Sequence, residues 1–546
     1  MLKPSELASQ IDIKLDGTRV QQSIMRKVDR VVVDQHSHLP DMFTIRLHDE
    51  DLELLDDGPF DLTRSVTIEA TKRYGDQVTL IQGEITALEP SFDEGMIAEL
   101  VVRGYDRSHR LYRQTKSKSH LNKTDADLAG EIAREAGLRA EIDPTKTVYE
   151  HVYQHNQSDL TFLMQRAWRI GYECFVADDT LHFRRPSSGS AAATLTWGDD
   201  LLSFRPRMTL AEQVDEVVVK GWDVEGKRAI VGRAHNGRLY PKTGESRDGS
   251  SWASTFGSGK RVIVDQPVVS QAEADILAAA RLDEISGAFL EAEGVAFRRP
   301  EIRAGRMVTL KALGQRLSGS YLVTSATHVY SAEGLTTTFA VRGSRTGLLT
   351  EQMMHRLPQD RWPGVVTAVV TNTDDPEDWG RVKVKFPWMA DDAESDWARV
   401  VGIGAGQNAG LFVMPLVGDE VLVAFAHGDF GQPFVLGGLW NGQHDVPPPV
   451  LQAPSGEKPL VRTWHSAGGH RITVYDNAEK KIEIATADGN NITLDDAQRE
   501  IRITGSGRKI TIESKGGIEI CAKQGNIEID AGTGNVNIQG ATINLN

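Results

Sequence analysis

From His470 to Asn546 the chain repeats one small unit, two apolar residues flanking a single polar one, with a short turn-like gap before the next. The doublets are Ile472/Val474, Ile482/Ile484, Ile492/Leu494, Ile501/Ile503, Ile510/Ile512, Ile518/Ile520, Ile527/Ile529, Val536/Ile538 and Ile543/Leu545. Their first members recur every 7 to 10 residues, the signature of a stacked array rather than a globular domain. The middle residue is always polar, as in Thr473, Glu483, Thr493 and Arg502, so the two apolar side chains share one face of each strand. One coil of a single-chain β-helix takes roughly 20 residues or more, whereas this repeat supplies one strand and one turn. The missing walls must come from other copies of the chain. Three copies about one axis give a triangular β-prism without open edges, its core formed by Ile482, Ile484, Ile492, Leu494, Ile501, Ile503, Ile510, Ile512, Ile518, Ile520, Ile527, Ile529, Val536 and Ile538. The competing reading is an ordinary meander of accidental regularity, and nine doublets with nine polar interiors weigh against it.

At 546 residues the chain exceeds one core, and three to five domains are expected. With 76 acidic against 61 basic side chains the net charge is −15, which opposes general phosphate binding and makes nucleic acid a poor main partner. Only Cys174 and Cys521 are present, so no disulfide framework is available and folding in a reducing cytosol is expected. Of the two, Cys521 is expected to be shielded rather than reactive. The start, "MLKPSELASQIDIKLDG", lacks the apolar segment of a signal peptide, and no run of 18 apolar residues occurs. Synthesis and assembly in the cytoplasm are the expectation.

Residues 1–115 alternate apolar and polar in "DMFTIRLHD", "SVTIEATKR", "QVTLIQGEITALEP" and "MIAELVVRGYD", predicting a first β-barrel. Between 116 and 186 the period changes. Thr124 caps a predicted helix striped by Leu128, Ile132, Ala133 and Ala136, and Ser158 opens a second one striped by Leu160, Leu163, Met164, Ala167 and Trp168. This is an α/β unit inserted into β surroundings. "RRPSSGSAAA" reads as a linker into a second barrel, 187–350, in which "SQAEADILAAARLDEIS" predicts a helix. "GYD" at 104–106 and "GWD" at 221–223 close similar strands. Five short strands within 361–445 fit a Greek-key barrel of the OB type, with Val382, Val384 and Phe386 on its inner face. Residues 446–465 form a Pro-rich connector expected to be extended, and 466–546 the needle. The fold class is therefore mainly β.

Catalytic signatures are largely absent. "GAGQNAG" at 404–410 matches a dinucleotide fingerprint, but "LFVMPLVGDEV" follows where a helix should begin, so a barrel loop is the better reading. "FGSGKR" at 256–261 lacks the remaining residues of a phosphate loop. No HExxH, GxSxG or paired CxxC occurs, and "HSH" at 36–38 has no third ligand nearby. No catalytic residue, cofactor site or metal site is assigned. Two rivals stand beside a structural protein: a cell-wall hydrolase using carboxylates, for which no domain-sized segment is free, and a nucleic-acid binder using "RVKVKFPW" on the barrel.

The long segment from "WGRVKVKFPWMADD" through "VGDEVLVAFAHGDF" to "PFVLGGLWNG" resembles the OB barrel of VgrG-type spike proteins of contractile injection machines, and "SAGGHRITVYD" the start of their needle. "VVRGYDRSHRL", "QSDLTFLMQRAWRIGYECF" and "AEQVDEVVVKGWD" resemble the phage tail-hub part of the same proteins. The resemblance implies two hub barrels with an inserted α/β unit, a barrel and a needle, trimerised at the end of an inner tube inside a contractile sheath. It implies a mechanical role rather than an enzymatic one, with tube and baseplate proteins as partners, possible effector cargo and transient contact with a target membrane. The phage-like hub segment tilts the expectation toward an extracellular or phage tail-like particle. No histidine follows His470, so the end formed by Ile543, Asn544, Leu545 and Asn546 is expected to seat a separate PAAR-type tip protein rather than a metal.

Overall fold

The computed structural model describes residues 10–73, 75–94, 97–223, 225–235, 237–238, 241–343, 364–386 and 394–544. It divides into two compact units, Met1–Leu439 and Trp440–Asn546. The chain is mainly β.

In the first unit the alternating segments become strands Met42–His48, Ser65–Thr71, Gln77–Asp93 and Ile97–Asp106, which bury Phe43, Ile45, Leu47, Ile68, Leu80 and Val102. Gly104 of "GYD" lies against the ring of Phe43, where a Cβ would come within 2.4 Å of Phe43 Cζ. Gly221 of "GWD" is crowded in the same way, 2.4 Å from Val268 Cγ2. Each glycine lets a strand pass close to a neighbouring element.

Strand Val28–His36 pairs antiparallel with Ser325–Ser331, so strands from before and after the inserted unit share one 11-stranded sheet. This joint is invisible to hydrophobic period, which fixes a strand's faces but not its distant partner. "RRPSSGSAAA" is only partly a linker: Ala191–Thr196 is a strand running parallel to Met307–Lys311, and Ala193 and Leu195 are buried beneath it. Small residues here fit a close layer rather than a flexible tether.

The inserted unit follows its caps. Thr124 forms a capping box with Asp127 at the head of helix Asp125–Glu135, and Ser158 caps Asp159–Arg169 by accepting from Thr161 N. The glycines after these helices, Gly137 and Gly171, have φ of +67° and +73°, the left-handed termination that side chains resist. Leu128, Ile132, Leu160 and Leu163 meet in one core with Phe183. On the polar side of the second helix, Arg166 and Arg169 are buried on Asp125 and Glu273. Helix Gln271–Gly287, capped by Ser270, packs Leu277, Ala278 and Leu282 against Val217 and Val219.

Strands Val365–Asn372, Arg381–Lys385, Ala398–Val400, Pro433–Gly438 and Glu420–Phe425 close a five-stranded barrel in that spatial order. Val382, Val384 and Phe386 point into its core, as alternation requires. "GAGQNAG" lies in a hairpin of Ile403–Gly406 and Ala409–Leu411, a barrel loop. Tyr153 of the inserted unit packs on the barrel core, and Ser119 Oγ donates 3.2 Å to the carbonyl of Glu394.

In the second unit the Pro-rich connector is not extended. Pro447 precedes a helical turn, Pro448–Leu451, and Lys458–Leu460 forms a 3₁₀ turn. Proline at the first helical position has its φ preset and no N–H to leave unpaired, so it starts a turn as readily as it extends a chain. Five strands follow as an antiparallel meander: Val461–His465, Arg471–Tyr475, Lys481–Ala485, Asn491–Asp495 and Glu500–Thr504.

Candidate functional site

The repeat constructs its own surface. Because each strand pairs with the next in fixed register, the doublets stack into two cross-strand columns. One runs Trp464, Ile472, Ile484, Ile492, Ile503, and the other Val474, Ile482, Leu494, Ile501. Trp464 extends the first column by one strand beyond the predicted repeat, and the alternation in "VRTWH" was the signal available for it. Gly469, in the turn after the first strand, has φ +87°, and a Cβ there would lie 3.1 Å from Ala487 Cβ, so this turn needs glycine.

The two faces of the meander are inverted relative to a normal protein surface. Ile472 is 44% exposed while its polar neighbour Thr473 is 0% exposed. Thr473 hydrogen-bonds the Thr463 hydroxyl at 2.9 Å, Arg471 pairs with Glu483, and the Lys481 ammonium lies 4.5 Å from the centre of the Tyr475 ring. Glu479 beside Lys481 holds that ammonium above the ordinary lysine range. Long polar side chains thus cover one face, and the apolar columns are left to water. An exposed apolar surface of this continuity marks an interaction site.

Of the predicted needle residues, Ile482, Ile484, Ile492, Leu494, Ile501 and Ile503 are brought together in these columns. Ile510, Ile512, Ile518, Ile520, Ile527, Ile529, Val536 and Ile538 follow in a segment without strands in the single chain, each exposed, as are Ile543 and Asn544. Leu545 and Asn546 lie outside the described residues. Cys521, expected to be shielded, is exposed. Cys174 is buried, and burial pushes its thiol up to about 12, far from a reactive thiolate.

The first unit holds buried carboxylates, each engaged by its own surroundings. Asp106 accepts from Ser108 N at 2.8 Å and Asp41 N at 3.1 Å, and Asp41 accepts from His36 N at 2.9 Å. Burial pushes both carboxyls above their ordinary range. Glu173 accepts from Arg184 Nε at 2.9 Å, yet burial outweighs that partner and raises it to about 7. Among the described residues no group of three His, Cys, Asp or Glu is placed to hold a metal ion, and no helix is long and apolar enough to cross a membrane.

Comparison with known proteins bears on both units. Residues 6–332 match the family described as Alg8 N-terminal domain, and residues 366–440 the type VI secretion system/phage-baseplate injector OB domain. The type VI secretion system spike protein VgrG4b of Pseudomonas aeruginosa is 43% identical over 121 residues, 20% of this chain and 15% of that protein. The match therefore spans a small part of that relative's length. A type VI secretion component of E. coli, described as structurally similar to the bacteriophage T4 tail proteins gp27 and gp5, superposes with a TM-score of 0.52 at 16% identity over 78% of this chain and 99% of that one. A chain of a Francisella PdpA–VgrG complex superposes with a TM-score of 0.53 at 9% identity, covering 91% of this chain and 88% of that one. The model matched by residues 6–332 spans more than half of the sequence, the barrel is matched by the injector OB domain and is accompanied by similarity to VgrG spike proteins over a short stretch, and the chain belongs to the Alg8 N-terminal domain family.

Proposed function

We propose that this chain is the structural hub and spike of a contractile injection apparatus, a homotrimer at the end of an inner tube that punctures the target envelope when the sheath contracts. The observation that carries the reading is the pair of apolar columns from Trp464 to Ile503, open to water in one chain and continued by exposed doublets as far as Ile543. Three copies about one axis would bury these columns and pair the free edge of Glu500–Thr504. A shaft closed by interchain hydrogen bonds at each level resists buckling, which is what force transmission requires.

In this reading residues 1–115, 116–186 and 187–350 form the hub, 361–445 the barrel, 446–465 the connector and 466–546 the needle. Ile543, Asn544, Leu545 and Asn546 would seat a PAAR-type tip protein. The role is mechanical and needs no catalytic group or cofactor. Assembly takes place in the bacterial cytoplasm and action in a phage tail-like particle, with tube and baseplate proteins as partners. The mass of the purified full chain in solution tests it: three times 60.0 kDa is expected, and a 60.0 kDa monomer overturns it. Clearing of bacterial wall in a zymogram would replace the mechanical reading with a delivered hydrolase.

A further inference from the structure

A cavity of about 450 Å³ opens where the inserted α/β unit meets the barrel, within the size range of small-molecule pockets. Strand Tyr149–Ser158 lines it with Tyr149, His151, Tyr153, His155 and Gln157, the last two beside an irregularity in its pairing with Thr115–Lys123. The barrel contributes Asp429 and Phe430, and helix Gln271–Gly287 contributes its first turn at Ser270 and Glu273. Nothing in the mechanical role uses this space.

Its floor is built from buried charge. Arg166 and Arg169 line the cavity with side chains 7% and 6% exposed, and each is already paired, Arg166 Nε to Asp125 at 2.6 Å and Arg169 Nη2 to Glu273 at 2.7 Å. Yet Arg166 Nη2 and Arg169 Nε are buried without a hydrogen-bond acceptor. A buried guanidinium donor left unmet has lost its water without a replacement, so two on one helix call for an acceptor that the chain does not supply. Four carboxylates also line the cavity, Glu150, Glu273, Asp396 and Asp429, and none of them accepts from Arg166 Nη2 or Arg169 Nε. Glu273 is occupied by Arg169 and by Val269 N at 2.9 Å, and Asp429 takes Gly431 N at 2.9 Å while burial raises its carboxyl toward the neutral form. Tyr149, whose ring centre lies 4.2 Å from the Arg166 guanidinium carbon, and Phe162 and Phe430 add aromatic lining.

We propose that this cavity binds a small oxyanion, carboxylate or phosphate, carried on a flat apolar body, with the oxygens on Arg166 Nη2 and Arg169 Nε and the body against the aromatic lining. A ligand there touches the inserted unit and the barrel together and ties one to the other. The inference stands apart from the spike reading, since the first unit contains the whole site.

Titration calorimetry on the full chain tests it, with benzoate and phenyl phosphate as probes and benzyl alcohol as the neutral control. Saturable binding of at least one anion at one per chain is expected, about tenfold or more tighter than the alcohol. The R169K variant keeps the charge on Glu273 but loses the Nε donor, and should weaken binding about tenfold. V269W places a large side chain at the mouth, where Val269 is 61% exposed and the fold does not depend on it, and should abolish binding. If R169K does not fold, V269W decides alone. No saturation by either anion up to about 10 mM, equal binding of the alcohol, or unchanged binding in V269W overturns the proposal.

Discussion

Replacing Ile512 by Asp puts the proposed prism under direct stress. In one chain Ile512 is 71% exposed, so most of its apolar surface is available for burial between copies. Full burial of an isoleucine side chain contributes about 1.5–3 kcal/mol, and the exposed share therefore about 1–2 kcal/mol per copy, or about 3–6 kcal/mol for three at one level. Aspartate forfeits that sum and brings three carboxylates together in a dry axis, at several kcal/mol of desolvation each. The combined loss is on the order of 10 kcal/mol, about seven decades in the association constant. Sedimentation of wild type, I512D and the control T511E reads this directly, because in the proposed prism Thr511 would face away from the axis. Wild type and T511E should sediment at three times the chain mass and I512D well below it. An I512D protein with wild-type mass and wild-type resistance to heat and detergent refutes the buried assignment, and with it the stacking argument.

Removing residues 536–546 should abolish capture of a PAAR-type tip protein in a pull-down while leaving three chains per particle; capture at full strength would place the seat elsewhere. Glu173 is raised to about 7 in the folded chain, so between its ordinary range near 4 and about 7 the folded state holds a proton that the unfolded state has released. Stability of the first unit should thus fall as pH rises across that window, by at most about 3 kcal/mol, and E173Q should flatten the slope in melts at pH 5 and pH 8. Asp375 shows the opposite sign: the Arg381 guanidinium, helped by backbone N–H groups, holds it down to about 2, so its contribution is present above about 4 and is lost as pH falls through 2. D375A strips acceptors from the N–H groups of Glu377, Trp379 and Arg381 and should cost the barrel about 2–4 kcal/mol at neutral pH; an unchanged melting midpoint would show that the loop does not depend on it.

Much of the local structure was legible because it is governed by short-range rules. Capping at Thr124 and Ser158, left-handed glycines at 137 and 171, and alternation through Val382, Val384 and Phe386 each depend on a few adjacent residues. The connector failed at the same range, because proline is compatible with both an extended segment and a first helical turn, and burial and neighbours choose between them. The apolar doublets were visible as a pattern.

What sequence alone determined is therefore which faces are apolar and where helices start and stop, since these follow from side-chain period and backbone chemistry. What only the tertiary structure decided is which distant segments meet. Val28–His36 finds Ser325–Ser331 across nearly 300 residues, Arg166 and Arg169 are buried on Asp125 and Glu273, and the barrel closes a cavity over them. The physical reason is common to all three. A strand edge or a guanidinium carries no mark of its partner's position, and the partner is chosen by the lowest free energy of the whole assembly of elements.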